Sequence, residues 1–280
     1  MTAVLDYFAS LVVDDESLPV TETALAIAQD AYPDVDLQAT LAELDELAWR
    51  LKRRLAEDAN LAEKIGALNR FFFRELGFAG NLNDYYDPDN SHLNVVVKRR
   101  RGIPISLAVL YMEIGEQIGV PVKGVSFPGH FLLRITLPEG DVMLDPTTGQ
   151  SLSEAQMVDM LEPYLSHASG ESIGNALRTL LQPATGREII ARMLRNLKAI
   201  YVQTERWQRL LAVQQRLVIL LPENIEEVRD RGLAYARLDY LRPALQDLER
   251  YLDDRPDAED ATAVESQLQE LRQRTDHGEG

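Results

Sequence analysis

Between residues 102 and 150 the apolar pattern changes its period, and no single kind of element can satisfy it. Over Pro104–Ile118 the side chains Leu107, Leu110, Tyr111, Ile114 and Ile118 fall on one helical face. Proline suits the first turn because its missing N–H has no intrahelical partner there, and Gly119 suits a left-handed end. Over His130–Leu137 the spacing drops to two: Phe131, Leu133, Ile135 and Leu137 alternate with His130, Leu132, Arg134 and Thr136. Pro138-Glu139-Gly140-Asp141 predicts a turn, after which Val142–Asp145 returns as a strand. The segment therefore demands a buried helix feeding strands, one opening with His130 and the next closing with Asp145.

That layout is how thiol enzymes bring together a nucleophile, a base and an orienting acid. Here the base and acid are present, but the chain contains no cysteine. His130 follows Pro128-Gly129, which restricts the backbone at a strand start. Asp145 opens Asp145-Pro146-Thr147-Thr148-Gly149, a turn able to hold a carboxylate. An even-length hairpin loop pairs residues whose numbers sum to an odd value, as 130 and 145 do, so the two can share a face. A histidine oriented by a carboxylate is a general-base unit. The plainer reading is a satisfied histidine and a structural hydrogen bond.

The absence of cysteine also removes thiolate metal sites, iron–sulfur clusters and disulfides. At 280 residues the chain needs no disulfide to build a core. Its net charge of −16 argues against direct nucleic-acid binding over a broad surface. The run Lys98-Arg99-Arg100-Arg101 is a local exception, expected to be a solvated loop. Asp87, Asp89 and Ser91 mimic the start of a calcium loop. The glycine position holds His92 and the closing glutamate position Lys98, so calcium is rejected. No metal or cofactor motif is present: no H-E-x-x-H, no P-loop and no dinucleotide fingerprint. The N-terminus lacks a basic signal-peptide start, and no apolar run is long enough to span a membrane. The expected location is cytoplasmic.

Three helices are predicted before residue 78. Thr21–Tyr32 has Thr21 as N-cap. Leu37–Leu55 carries Leu41, Leu44, Leu47 and Leu51 on one stripe. Leu61–Leu76 ends at Gly77, with Phe71-Phe72-Phe73 in the core. Residues 78–101 are expected to be irregular, and a polar stretch lies around His167–Gly174. Gln182-Pro183-Ala184-Thr185-Gly186 predicts a boundary. Beyond it, Pro222 and Pro256 stand 34 residues apart, and the same offset maps Tyr201 to Tyr235, Leu211 to Leu245 and Arg216 to Arg250. That period is the tetratricopeptide signature: two units and a final helix near Ala261–Arg274.

Gly102-x-Pro104 and its helix, Gly119-Val120-Pro121, Gly129-His130 and Leu144-Asp145-Pro146-Thr147 resemble the transglutaminase-like core of the papain-like superfamily. The whole chain resembles the bacterial SirB family, most specifically in NVVVKRRRGIPISLAVLY and GVSFPGHFLLRI. The resemblance implies an α+β fold: a helical N-terminal region (1–77), a papain/transglutaminase-like core with a small antiparallel sheet (78–186, packed with 1–77 as one unit), and tetratricopeptide α-helical repeats (187–280). It also implies the order Cys, His, Asp for an active member. His130 and Asp145 fit the last two positions, and Pro104 stands where the cysteine belongs, which excludes thiol chemistry.

Ser106, two residues further along the helix, is the alternative nucleophile, although a capping hydroxyl is its plainer role. Ser126 misses the G-x-S-x-G elbow by one residue and is dismissed. Two functions are expected. The first is a non-catalytic pseudoenzyme with a protein or peptide partner on the tetratricopeptide surface, linked by the resemblance to regulation. The alternative is a hydrolase or acyl-transfer enzyme using His130 and Asp145 without a thiol.

Overall fold

The structure is a computed structural model that describes residues 3–81, 83–164 and 170–278. Its side-chain description omits 170–173, 175 and 276–278. The expected polar stretch around His167–Gly174 lies partly outside the described residues. The chain divides into two compact units, Asp14–Met193, and Met1–Val13 together with Leu194–Gly280. After a first helix, α1 (Ala3–Leu11), the first of these units begins.

Its helices are α2 (Val20–Ala26), α3 (Leu37–Lys52), α4 (Leu61–Asn69), α5 (Leu93–Arg99) and α6 (Pro104–Gln117). The strands β1 (Ala79–Gly80) and β2 (Arg101–Gly102) pair in parallel around α5. Strands β3 (Val122–Val125), β4 (Leu132–Leu137), β5 (Gly140–Leu144) and β6 (Ser151–Leu152) follow as an antiparallel meander in sequence order. Helices α7 (Glu154–Leu161) and α8 (Gly170–Leu180) come next, and the division between units falls within α9 (Gly186–Gln203).

The unit is organised around α6. Every residue from Ile105 to Tyr111 is buried, so this helix is covered all round rather than on the single face its spacing predicts. A helix apolar on all sides belongs in an interior, and α2, α3, α4, α5, β3 and β4 all pack against it. Each fully buried Leu or Ile there stabilises the fold by about 1.5–3 kcal/mol. Its end is as expected. Gly119 is left-handed at φ 76°, its N–H bonds Glu116 O at 2.9 Å, and Val120 N–H bonds Gly115 O at 2.8 Å. This paired closure turns the chain directly into β3.

Several expectations are corrected. The cap of α2 is Pro19, and Thr21 lies inside the helix, its hydroxyl donating to Glu113 at 2.5 Å. The helix predicted over Leu61–Leu76 is α for its first part, with an Asn60–Glu63 capping box, and π-helical from Arg70 to Glu75. Phe71 and Phe72 are buried as expected. Residues 78–101 are not irregular, since Leu93, Val95, Val96 and Val97 of α5 are all buried.

Nor is the basic run a solvated loop. Arg99 pairs with Asp87 and Asp89, and Arg100 pairs with Glu43 at 3.1 Å and lies 4.7 Å over the Phe78 ring. Arg101 donates to Gly77 O at 2.7 Å. Asp89 also accepts from Tyr32, whose hydroxyl is pushed up in pKa by burial and by that bond.

The second unit repeats its backbone every 34 residues. Helix α9 gives way to α10 (Trp207–Leu220), α11 (Ile225–Arg237), α12 (Leu241–Asp254) and α13 (Ala261–Gly278). Left-handed Glu205 (φ 52°) recurs as left-handed Asp239 (φ 60°). Arg206 N–H bonds Tyr201 O at 2.9 Å, and Tyr240 N–H bonds Tyr235 O at 3.0 Å. Leu221 N–H bonds Leu217 O as Arg255 N–H bonds Tyr251 O. In the same unit α1 packs on α10, where the Arg216 guanidinium lies 5.5 Å over the buried Phe8 ring.

Helices α11 and α12 are clasped by a two-pronged Arg231–Asp247 pair at 2.7 and 2.8 Å. Asp247, mainly by hydrogen bonding, raises the pKa of Arg231. Beside the clasp, a Cβ on Gly232 would meet Leu248 Cδ2 at 2.9 Å and Asp247 Cβ at 3.0 Å. Around Gly66 in α4 a Cβ would meet nothing within 4 Å. Gly66→Ala is expected to stabilise its unit by about 0.5–1 kcal/mol through helix propensity. Gly232→Ala is expected to destabilise by about 1–3 kcal/mol through overpacking. Calorimetric unfolding of the two variants checks the opposite signs.

Candidate functional site

The head of α6 is fixed by its own third residue. Ser106 Oγ accepts from Ile103 N–H at 3.1 Å and lies 2.7 Å from Asn90 O and 2.9 Å from Ile103 O, to one of which it gives its proton. It is fully buried. A Cβ on Gly102 would meet this oxygen at 2.5 Å and Val96 at 3.0 Å, so only glycine fits there. Asn90 in turn donates to Asp84 O at 2.7 Å and accepts from Asn81 Nδ2 at 3.0 Å, bringing the loop with Tyr85 to the same place.

These segments wall one side of a cavity of about 340 Å³, within the range of small-ligand sites. Gly80, Asn81, Tyr85, Gly102 and Pro104 line it from this side. His130, Phe131, Leu132, Asp145, Thr147, Leu152 and Met160 line it from the sheet and α7. The fold therefore brings Pro104, His130 and Asp145 to one cavity. Ser106 does not line it.

His130 is exposed and precedes β4, its N–H bonding Phe127 O at 3.0 Å in a tight turn. Gly129 is left-handed at φ 67°, and a Cβ there would collide with the Tyr164 hydroxyl. No hydrogen bond joins His130 to Asp145 among the described residues. The hairpin pairs Leu133 with Leu144, and extending that register sets Asp145 opposite Leu132 rather than His130. The two remain on one face but offset diagonally.

The Asp145 carboxylate is engaged by its own turn. It accepts from Thr147 N–H at 2.8 Å, Thr147 Oγ1 at 2.7 Å and Thr148 Oγ1 at 2.9 Å. Gly149 closes that turn at φ 72° against the Phe73 ring, so the π-helical segment supports the aspartate from behind.

Sequence reasoning missed Arg192. Its guanidinium donates to Ser126 Oγ at 2.8 Å and to Phe127 O at 3.0 Å, and burial lowers its pKa. It holds the loop that presents His130, and through it gives Ser126 a supporting role. The only advance signal was a basic residue on a predicted helix, which does not identify a contact 65 residues away.

Residues 38–195 match the transglutaminase-like superfamily, and residues 197–269 match a tetratricopeptide repeat. A UPF0162 protein of Xylella fastidiosa (strain Temecula1) is 41% identical over 260 residues, 92% of each chain. The chain belongs to the UPF0162 family of transglutaminase-like proteins. Within that family, the UPF0162 protein YchA of Escherichia coli K12 is 27% identical over 90% of this chain and 93% of its own. Protein SirB1 of Salmonella typhimurium is 26% identical over 89% and 91%. No solved structure matches. The family match establishes the α+β architecture of a transglutaminase-like domain followed by tetratricopeptide repeats.

Because the chain has no cysteine, single thiols can map the cavity without interference. In the folded protein, iodoacetamide is expected to alkylate Pro104→Cys and to leave Ser106→Cys unmodified until denaturant is added. Intact-mass measurement reads both, and equal labelling of the two folded variants would contradict the described wall.

Proposed function

We propose that the transglutaminase-like domain of this protein is non-catalytic and that the protein acts through protein–protein interaction carried by its repeats. The resemblance to SirB proteins makes the proposed role regulatory, in the cytoplasm. The observation that carries the reading is Pro104 on the wall of the cavity shared by His130 and Asp145. A pyrrolidine ring offers no nucleophile where active relatives of this architecture place a thiol, and no thiol exists elsewhere in the chain. Ser106 does not supply one, since it is buried and bonded to backbone groups at the helix head. The tetratricopeptide match supports the second half of the proposal. No helix among the described residues is long and apolar enough to cross a membrane.

A hydrolytic reading retains one supporting observation, the open cavity with both His130 and Asp145 on its wall. Water would then be the attacking group and His130 its base. One comparison separates the readings. Full-length wild type, His130→Ala and Val202→Glu are used for affinity capture from bacterial extract, with quantitative mass spectrometry. Val202 lines a cavity of about 600 Å³ in the repeat unit and is 47% exposed, so the added charge is tolerated by the fold. Partners are expected to survive His130→Ala and to be lost with Val202→Glu. Peptide-amide hydrolysis by the wild type that falls at least tenfold in His130→Ala would instead establish the enzyme.

A further inference from the structure

Arg192 uses only one end of its guanidinium to hold the loop before β4. Nη1 donates to Ser126 Oγ at 2.8 Å and to Phe127 O at 3.0 Å, which occupies both of its hydrogens. Nε and Nη2 have no hydrogen-bond partner, and no carboxylate pairs with the group, among the described residues. A half-buried guanidinium has lost part of its hydration, and burial lowers its pKa accordingly. The Nε–Nη2 edge left over is a fork that grips the two oxygens of one carboxylate in parallel. Its Cζ lies 5.8 Å from the ring centroid of Phe131, which lines the cavity of His130 and Asp145.

Other donors converge on the same turn. Phe127 O accepts from the His130 N–H as well as from Arg192, so one carbonyl ties the guanidinium to the start of β4. The Tyr164 hydroxyl sits where a Cβ on Gly129 would collide with it. Tyr85 lines the cavity with His130, and both Tyr85 and Tyr164 are within electrostatic reach of Arg192. His130 is exposed, and Tyr85 and Tyr164 are 48% and 56% exposed, so these three rings mark the cavity mouth. None of the three side chains has a hydrogen-bond partner among the described residues. The mouth thus gathers donors without an acceptor to match them.

We propose that this mouth binds a small amphiphilic carboxylate, its head on the Nε–Nη2 edge of Arg192 and its apolar body among Pro104, Phe131, Leu132, Leu152 and Met160. The cavity, of about 340 Å³, has room for an aromatic ring or a branched side chain. No Lys or Arg lines it, so Arg192 beside the mouth is a single permanent cation for a single negative charge. The acid on the wall, Asp145, already accepts from Thr147 and Thr148 and competes for neither the fork nor the tyrosine hydroxyls. A free aryl acid and the last residue of a peptide both carry the head that this geometry selects. The site lies in the transglutaminase-like domain and needs no thiol, since holding a carboxylate forms no covalent bond.

The test is a calorimetric titration of the full chain with hydrocinnamate and, in parallel, with its neutral amide, hydrocinnamide. An acetylated dialanyl-phenylalanine tripeptide is titrated with its C-terminus free and with it amidated. The expected result is saturable binding of hydrocinnamate, with the amide weaker by about tenfold or more. Arg192→Lys keeps the charge and removes the fork, and is expected to weaken hydrocinnamate by about tenfold. Tyr164→Phe keeps the ring and removes the hydroxyl, and is expected to weaken it by about threefold. Thermal midpoints of both variants show whether the loop remains folded. The comparison of acid with amide on the wild type requires no variant.

Binding of the free tripeptide as tightly as hydrocinnamate supports the proposal and makes a chain end the source of the carboxylate. Binding of hydrocinnamate with exclusion of the tripeptide supports it with a free acid as the source. An amide bound as tightly as the acid overturns the anion site and leaves an apolar pocket. Folded Arg192→Lys and Tyr164→Phe that both bind as wild type overturn the proposal and leave Arg192 with the loop alone, and so does an absence of binding by every probe. None of these outcomes depends on whether the repeats bind a partner.

Discussion

One buried hydroxyl sits where the pieces of the cavity meet. Ser106 Oγ accepts from the Ile103 N–H at a helix head, where that N–H has otherwise only a longer bond of 3.4 Å to Asn90 O, and itself reaches the carbonyl of Asn90. Asn90 organises the Asp84–Tyr85 loop, and Gly102 leaves the space that this oxygen fills. Removing the hydroxyl would leave that N–H only its longer bond to Asn90 O, at a cost of about 0.5–1.5 kcal/mol. It would also loosen the wall that carries Pro104. The residue most attractive as a replacement nucleophile is thus committed to the frame around the cavity.

The repeats solve their own problem at the backbone level. Each connection within a helical pair must stop one helix and start the next within a few residues. Glu205 and Asp239 do so in the left-handed region, where non-glycine residues are uncommon and aspartate is among the better tolerated. The two closures return hydrogen bonds to Tyr201 and Tyr235, the residues that the 34-residue offset pairs in the sequence. Identity of the residue at the stop is not preserved, but its conformation is. This explains how a degenerate motif yields a regular array.

What was legible in the sequence was whatever short-range pattern determines. The 3.6-residue spacing and glycine stop of α6, the alternation of β4 and the 34-residue period all have causes within a few turns or one repeat. The misses have distant causes. Helix α5 is apolar nearly all round and follows a Pro-Asp-Asn-Ser turn, so its Leu-Asn-Val-Val-Val run carries no amphipathic period to mark it as helix. The partners of Arg99, Arg100 and Arg101 lie 10 to 57 residues away, so a run of like charges concealed a set of structural contacts. The offset between His130 and Asp145 follows from the register that pairs Leu137 with Gly140 around Pro138-Glu139, whereas direct pairing would centre the turn between Leu137 and Pro138. Parity placed the pair on one face, but parity cannot choose between registers two residues apart.

His130 and Asp145 each have a structural reason to stand where they do. Asp145 is the anchor of its own turn, accepting from two threonines and a backbone N–H. Alanine there would leave that N–H without its acceptor and the hydroxyls without theirs. His130 follows a left-handed glycine packed against Tyr164, in a loop that Arg192 pins through Phe127 O. Pro104 pre-sets the first turn of α6 and gives up no hydrogen bond in doing so. All three residues stand at junctions between elements. Replacing any of the three would disturb the strands and helix that hold the cavity open.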